Sequence, residues 1–323
     1  MRKYVLLFGL LTSFLSCDDG DVFTVSLDFD DTFNICGDVV FYKTKSDPNE
    51  SLSLKVTSPI NSLEDIIATE PIVDGDLTLV QLVNPEITGT INGSSNAFNY
   101  RTYNSAVGNN AFCSDVPPSN LNIAEDYSST SGTFTITTTL IEDDNDGIPA
   151  EMEDRNGNGD LNDDDTDGDG IPNYLDEDDD GDNVLTKTEL IDSDLVDSNN
   201  DGDNDDDTDN DPLTNPVDTD DDGVPNYLDN DDDGDGILTI NEENQTQNQN
   251  PANDFTNPNV ADYLNPDVST EVLATEYRTH EIKQVFVIDI FIENISFSNL
   301  NQSTFDFGTK EISTESRDFT PEF

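Results

Sequence analysis

Residues 165–176, DTDGDGIPNYLD, return at residues 218–229 as DTDDDGVPNYLD. Extended forward, the two copies are identical at 18 of 26 positions, at an offset of 53 residues. Self-similarity of this kind marks a structural repeat. Acidic residues at alternate positions, followed by glycine at the sixth, are the order found in loops that wrap calcium, because the glycine permits the sharp turn. The sequence therefore predicts a tandem array of calcium-binding loops.

Each copy combines two loop types. In the first type, an Asn and an Asp follow the glycine by three and six residues and can complete the ligand shell. The predicted ligands of this type are Asp165, Asp167, Asp169, Asn173 and Asp176, then Asp218, Asp220, Asp222, Asn226 and Asp229. The second type has a hydrophobic residue at its eighth position and an acid at its twelfth, as in EF-hand loops. Its predicted ligands are Asp178, Asp180, Asp182 and Glu189, then Asp231, Asp233, Asp235 and Glu242.

Weaker copies flank these loops. They predict further ligands at Glu142, Asp144 and Asp146, at Asp154, Asn156 and Asn158, and at Asp197, Asn199 and Asp201. Asn183 stands where the EF-like loop normally has its turn glycine, and Asn tolerates the left-handed conformation that this position needs. Together the strong and weak copies predict about five to seven calcium ions.

The DxDxDGxxNxxD runs resemble thrombospondin type 3 repeats, calcium-binding repeats found in many bacterial surface proteins. The resemblance covers residues 142–267 and implies a chain that wraps a string of ions with little regular secondary structure. The cysteines that cross-link such repeats in animal proteins are absent here, so metal alone must hold the array. The alternative is a solvated, disordered acidic linker, against which the regular Gly, Tyr-Leu and Glu positions argue.

The charge balance fits cations as partners. The chain of 323 residues carries 72 acidic and 12 basic residues, a formal net charge of -60, and residues 142–267 hold 44 of those acids against Arg155 and Lys187. A nucleic acid partner is excluded, because the phosphate backbone would be repelled. At ~4 Å, each like-charge pair costs about 1 kcal/mol in water, so the metal-free array should expand.

The N-terminus reads as the export signal of a bacterial lipoprotein. Arg2 and Lys3 precede an apolar stretch that is too short to span a bilayer, and Ser16-Cys17 resembles a lipobox, which predicts a signal peptide over residues 1–16 and lipidation of Cys17. The acidic tether of residues 17–21 resembles the surface-export signal of Bacteroidetes lipoproteins. These features predict an outer-membrane protein anchored by lipid at the cell surface; an ordinary secreted protein is the alternative.

Two further cysteines, Cys36 and Cys113, form an even pair in an exported chain. Such a pair predicts a disulfide, with two free buried thiols as the alternative.

The remaining segments predict a mainly β protein. Residues 22–141 contain short alternating runs such as Ser51–Val56, bounded by turn residues, and predict a β-sandwich-like domain. Alternation returns over residues 268–323 as a short C-terminal β segment. This segment either forms a small sheet or adds strands to the N-terminal domain, with the array as an insertion.

Signals for an enzyme are weak, and we expect none. The single histidine, His280, is expected at the surface, and no nucleophile set, zinc cluster or phosphate loop accompanies it. A carboxylate enzyme within residues 22–141 is the alternative.

Three functions compete. The first is a structural or adhesive module, or a spacer, that calcium makes rigid, with an extracellular protein or glycan as partner. The second is glycan or nutrient capture by the β domain, where Tyr42, Phe98, Tyr100 and Tyr103 would supply an aromatic platform. The third is a passive calcium-binding spacer without a partner.

Overall fold

The computed structural model describes residues 27–37, 39–74, 77–108, 110–114, 118, 121–190, 212–214, 216–297, 301–313 and 316–323. The predicted signal peptide, Cys17 and the acidic tether lie outside these residues, as do Asp197, Asn199 and Asp201.

The described strands confirm a mainly β protein. In chain order they are β1 (Asn34–Cys36), β2 (Val40–Ser46), β3 (Asn49–Lys55), β4 (Thr69–Asp74), β5 (Leu77–Leu82), β6 (Glu86–Thr90), β7 (Ala97–Tyr103), β8 (Ile123–Ser128), β9 (Thr133–Asp143), β10 (His280–Ser296), β11 (Asn301–Ser313) and β12 (Arg317–Phe319). Three single-turn α-helices accompany them, α1 (Glu64–Ile67), α2 (Asn110–Cys113) and α3 (Thr186–Glu189).

Two antiparallel sheets face each other as a β-sandwich. One sheet has the order β1-β2-β3-β7-β8 and the other β11-β10-β9-β6, with β12 paired to β10, while β4 and β5 form a separate hairpin. Inward residues of both sheets meet in one core, in which Phe41, Leu52 and Phe98 of the first sheet pack with Phe134 and Ile290 of the second. Alternation along each strand produces this core because successive side chains point to opposite faces.

The C-terminal strands belong to the sandwich. Strand β10 pairs with β9 from Lys283 opposite Asp143 to Glu293 opposite Thr133, and with β11 on its other edge. Of the two arrangements left open by the sequence, the structure has the one in which the acidic array is inserted between two neighbouring strands.

Cys36, at the end of β1, and Cys113, in α2, form a disulfide with their Cα atoms 5.0 Å apart. The cross-link ties the loop around α2 to the edge of the first sheet.

The four aromatic residues considered for a glycan platform are all buried, Tyr42, Phe98, Tyr100 and Tyr103. Phe98 and Tyr100 of β7 lie in the core, whereas Tyr42 of β2 stacks on Phe112 of α2 and the Tyr103 hydroxyl bonds Ser51 Oγ at 2.8 Å. The platform prediction was therefore wrong, because alternation alone does not tell which of the two faces of a strand meets solvent.

No β-strand occurs among the described residues between Asp143 and His280. Single turns of 3-10 helix punctuate this segment, at Ala150–Met152, Leu161–Asp163, Asn173–Leu175, Asn226–Leu228, Thr239–Asn241, Pro251–Asn253 and Asp262–Leu264. Its few apolar residues gather in small clusters, one of which joins Ile171 and Leu175 to Leu79 of β5 and Ile282 of β10. The array is thus packed against the sandwich.

Candidate metal centres

Five acidic clusters form among the described residues, and in each the ligand-type oxygens lie within 4.8 Å of one another. In chain order, cluster 1 holds Asp144, Asp146 and Glu153; cluster 2 holds Asp165, Asp167 and Asp169; cluster 3 holds Asp180, Asp182, Glu189 and Asp232; cluster 4 holds Asp218, Asp220 and Asp222; cluster 5 holds Asp231, Asp233 and Asp235.

Most of the loop aspartates use one carboxylate oxygen to hold their own backbone. In cluster 1 the Asp146 N–H donates to Asp144 Oδ1 at 3.0 Å, and the Ile148 N–H donates to Asp146 Oδ1 at 2.8 Å. The same bond, from the residue two positions on, recurs in all five clusters. A second, buried oxygen has no hydrogen-bond partner in the described part of the chain at Asp144, Asp146, Asp182, Asp218, Asp231, Asp233 and Asp235. In these loops, carboxylate oxygens without a hydrogen-bond partner therefore lie close together in each cluster.

The turn residues have the conformation that such loops need. Gly170, Gly223 and Gly236 have φ of 93°, 96° and 94°, and Asn183 takes φ of 73° in their place. The left-handed region is costly for most side chains but open to Gly and tolerated by Asn. The substitution by Asn183 therefore leaves this loop closed, as the sequence predicts.

Cluster 1 contains an acid that the sequence analysis missed. Glu153 is buried, and neither of its carboxylate oxygens has a partner among the described residues. It is the twelfth residue counted from Glu142, so the EF-hand spacing could have found it. Glu142 itself lies at the end of β9 and accepts hydrogen bonds from Arg317 Nε at 2.7 Å and Gln284 Nε2 at 2.9 Å, outside the cluster.

Cluster 3 is fully buried, as cluster 1 is. Asp180, Asp182, Glu189 and Asp232 are all less than 9% exposed. Three of them, Asp180, Glu189 and Asp232, have no partner for either oxygen within the described ranges. The predicted ligand Asp178 lies beside this group and accepts the backbone N–H of Asp182 at 3.2 Å and of Asn183 at 2.8 Å.

Clusters 2 and 4 lie nearer the surface, and each has its predicted closing acid beside it. The carboxylate of Asp176 feels the repulsion of Asp169, Asp167 and Asp165. Asp229 is repelled in the same way by Asp222, Asp220 and Asp218. The two copies thus reproduce one arrangement of four acids.

Cluster 5 has Glu242 as its neighbour. Both oxygens of this buried side chain lack a partner in the described residues, and its negative neighbours are Asp233, Asp235 and Asp231. Burial, followed by repulsion from these aspartates, raises the pKa of Glu242 to about 9.

The predicted ligands Asn173 and Asn226 have another role. Asn173 Oδ1 accepts the Thr166 N–H at 2.9 Å, and its amide donates to Thr166 Oγ1 at 2.8 Å. Asn226 holds Thr219 in the same way, at 2.8 Å and 2.9 Å. Their side chains brace the start of each loop.

The weaker loop at Asp154 keeps the turn without gathering acids. Asp154 accepts the N–H of Asn158 at 3.0 Å and of Gly159 at 2.8 Å, and Asn156 donates to Asp163 at 3.1 Å. Asp154, Asn156 and Asn158 lie outside the five clusters.

The electrostatics of these clusters fit bound cations. Unit charges within 4.8 Å repel by about 3 kcal/mol or more per pair at an effective dielectric of about 20. Burial and repulsion between neighbouring acids accordingly raise the pKa of Asp182 and Glu189 well above its usual range. Buried, unpaired carboxylates are costly, and a cation at each cluster removes both the repulsion and the missing partners.

His280 is buried, and the expectation that it lies at the surface was wrong. Its Nδ1 lies 2.5 Å from Asp176 Oδ1, without a hydrogen bond between the two atoms. The Glu281 N–H donates to Glu177 at 2.9 Å beside it. The sequence could not show this contact because its partners are separated by about a third of the chain.

Residues 143–195 match the family model described as BamM C-terminal. The match covers less than half of the chain and includes cluster 1, cluster 2 and the local acids of cluster 3. No curated protein and no solved structure matches the sequence. Among the described residues, no helix has the length and apolar character needed to cross a membrane.

Proposed function

We infer that this protein is a calcium-binding surface lipoprotein of a bacterial outer membrane, in which bound calcium orders the acidic array into a structural or adhesive module. The observation that carries this inference is the set of buried carboxylate oxygens without partners among the described residues, above all in clusters 1 and 3. A folded protein satisfies such groups with a proton or with a cation, and loops of this order favour the cation.

The chemistry of the clusters favours calcium over other metals. The described clusters consist of carboxylates alone, without histidine or cysteine. Oxygen-only sites suit calcium and magnesium, whereas zinc and copper prefer nitrogen and sulfur. Calcium accepts six to eight oxygens in flexible loops of this order, while magnesium demands a near-ideal octahedron. The resemblance to thrombospondin type 3 repeats supports the same assignment.

The packing of the array supports a structural role. Its repeats contact the sandwich through Ile171, Leu175 and Asp176, and the segment that returns to β10 bonds to the loops. In that segment the Ala274 N–H donates to Asn241 Oδ1 and the Arg278 N–H to Asn183 Oδ1, both at 2.9 Å. Ions that order the loops therefore also order a surface of the sandwich.

The location rests on the sequence signals and on the family match. The lipobox-like Ser16-Cys17 and the acidic tether support a lipid anchor at the cell surface, and the BamM C-terminal match of residues 143–195 supports association with the outer membrane.

The test compares thermal stability and hydrodynamic radius of the chelator-treated protein with and without millimolar calcium. We expect calcium to compact the chain and to raise its unfolding temperature, with magnesium at the same concentration doing so less. An unchanged radius and unfolding temperature in calcium would refute the proposal. A passive calcium store would compact equally, but its deletion from the producing cell would leave attachment and surface organisation unchanged.

A further inference from the structure

Cluster 3 joins two repeats. Asp180, Asp182 and Glu189 belong to the EF-like loop of the first copy, whereas Asp232 belongs to the EF-like loop of the second. Asp232 is only 2% exposed, and neither of its oxygens has a partner among the described residues. Its spare oxygens therefore serve the preceding loop, although three aspartates of its own loop, those of cluster 5, lie next to it in sequence.

The corresponding residue of the first copy is Asp179, which lies 53 residues before Asp232 and outside the 4.8 Å group of cluster 1. Asp179 is also 2% exposed, and both of its oxygens are without partner in the described chain. The strongest repulsion on its carboxylate comes from Glu153 and Asp146 of cluster 1. The second residue of each EF-like loop thus faces the acids of the loop before it.

A buried threonine fixes both aspartates in the same way. The Asp179 N–H donates to Thr186 Oγ1 at 3.1 Å, and the Asp232 N–H donates to Thr239 Oγ1 at 3.3 Å. Both threonines are fully buried. The bond fixes the second position within a turn, in which the Gly181 N–H donates to the Asp178 carbonyl and the Gly234 N–H to the Asp231 carbonyl, both at 3.0 Å.

We propose that Asp179 and Asp232 are bridging ligands, each of which gives carboxylate oxygen to the cation of the preceding loop, so that calcium binding by successive loops is coupled. This proposal rests on the calcium-binding function inferred above and adds to it the order in which the sites depend on one another. The site of cluster 1 needs the loop that carries Asp179, and the site of cluster 3 needs the loop that carries Asp232.

Residues 259–265 look like a third, decayed copy that follows the two full ones. Tyr227-Leu228 recurs as Tyr263-Leu264, and the residue that corresponds to Asp232 is then Val268. Valine offers no oxygen from its side chain. The last site, cluster 5 with Glu242, therefore has no carboxylate at the place that corresponds to Asp232. The third copy contacts this site through Asp262, beside Glu242, and through the backbone N–H of Asn265, which donates to Asp233.

The experiment is a double-substitution cycle followed by calcium calorimetry on the whole protein. Asp232→Asn is combined with Glu189→Gln, which damages the cluster 3 site, and separately with Glu242→Gln, which damages the cluster 5 site. Asp221→Asn is the matched control, because Asp221 is exposed and lies outside the clusters. We expect Asp232→Asn to weaken one site roughly 10- to 100-fold, the range found when a supporting group of a metal site is removed.

The two double variants give opposite results according to whether Asp232 serves cluster 3 or cluster 5. If Asp232 serves cluster 3, Asp232→Asn costs no further site in the Glu189→Gln protein and removes a second site in the Glu242→Gln protein. The reverse pattern, or an effect of Asp232→Asn no larger than that of Asp221→Asn, would overturn the proposal. A wild-type protein that binds no calcium would instead refute the proposed function.

The first copy provides the same test if Asp232→Asn does not fold, as judged by circular dichroism in calcium. There Asp179→Asn is combined with Glu153→Gln, of cluster 1, and with Glu189→Gln, of its own loop. Loss of a further site in the Glu153→Gln protein would overturn the bridging role of Asp179.

Discussion

His280 Nδ1 and Asp176 Oδ1 lie 2.5 Å apart, and both side chains are buried. His280 begins strand β10 of the sandwich, and Asp176 is the closing acid of a loop in the array. The contact joins the two parts of the molecule at the place where Ile171 and Leu175 pack on Ile282. The contact between His280 and Asp176 therefore links the stability of the sandwich to the order of the array.

Replacement of His280 should weaken this junction. His280→Ala removes a buried side chain that contacts Asp176, and a cavity at a packed site typically destabilises by roughly 0.5–3 kcal/mol. We expect a lower unfolding temperature in saturating calcium, measured by calorimetry. Glu311→Gln, at an exposed position of β11, is the control, and equal effects of the two substitutions would contradict the role of the pair.

Gly181 should be required where two loops touch. A Cβ added at this glycine would clash with the carboxylate of Asp167 in cluster 2, and its φ is +71°. Gly168 has φ of +79° with no atom within 4 Å of such a Cβ, so Gly168→Ala measures the backbone strain alone. We expect Gly168→Ala to cost roughly 1 kcal/mol and Gly181→Ala to cost more and to weaken one calcium site in a titration. Equal losses would mean that the contact with Asp167 is unimportant.

The metal-free protein should lose stability as pH rises. Burial raises the pKa of Asp167 to about 7 and that of Glu242 to about 9. A carboxyl whose pKa is raised by folding stabilises the fold while it is protonated, and this contribution disappears as pH rises from the unfolded value, about 4, through the folded value. Thermal unfolding of metal-depleted protein should show a lower midpoint at pH 8 than at pH 5. Saturating calcium should reverse that order of midpoints, because calcium binds the ionised carboxylates. A midpoint that still falls from pH 5 to pH 8 in calcium would contradict the assignment of these carboxylates as calcium ligands.

The disulfide should stabilise the sandwich independently of calcium. Cys36 and Cys113 are separated by 77 residues, and closing a loop of that size removes about 4 kcal/mol of unfolded-state entropy in the chain-entropy model. We expect Cys36→Ser with Cys113→Ser to lower the free energy of unfolding by roughly that amount in denaturant titrations. The number of calcium ions bound by the folded double variant should be unchanged, since neither cysteine contacts a cluster in the described structure.

Local spacing predicted those parts of the sites that are local in the chain. Clusters 2, 4 and 5 consist entirely of predicted ligands, because their acids lie within five residues of one another. Asp179 and Asp232 were missed because their partners belong to another loop. The one available signal was that both stand at the same place in a DDD run, 53 residues apart.

In the fold, too, the sequence predicted the features that are local in the chain and not those that join distant segments. Alternation predicted strands such as β3 and β10, since burial of one face imposes period two. It could not predict that β10 pairs with β9, because more than a hundred residues separate the two strands. The burial of Tyr100 likewise depends on which strand face the second sheet covers, and that of Tyr42 depends on the packing of Phe112 from α2.

The pairing of β9 with β10 has a mechanical consequence. The acidic array leaves the sandwich after Asp143 and returns at His280, on strands that are hydrogen-bonded neighbours. Asp143 pairs with Lys283, three residues after the return, so the two ends of the array are held roughly 11 Å apart. A force that pulls β9 and β10 apart is carried by the hydrogen bonds between these two strands, and not by the array. Binding or loss of ions can therefore change the rigidity of the array, while the pairing of β9 with β10 holds the two ends of the array in place.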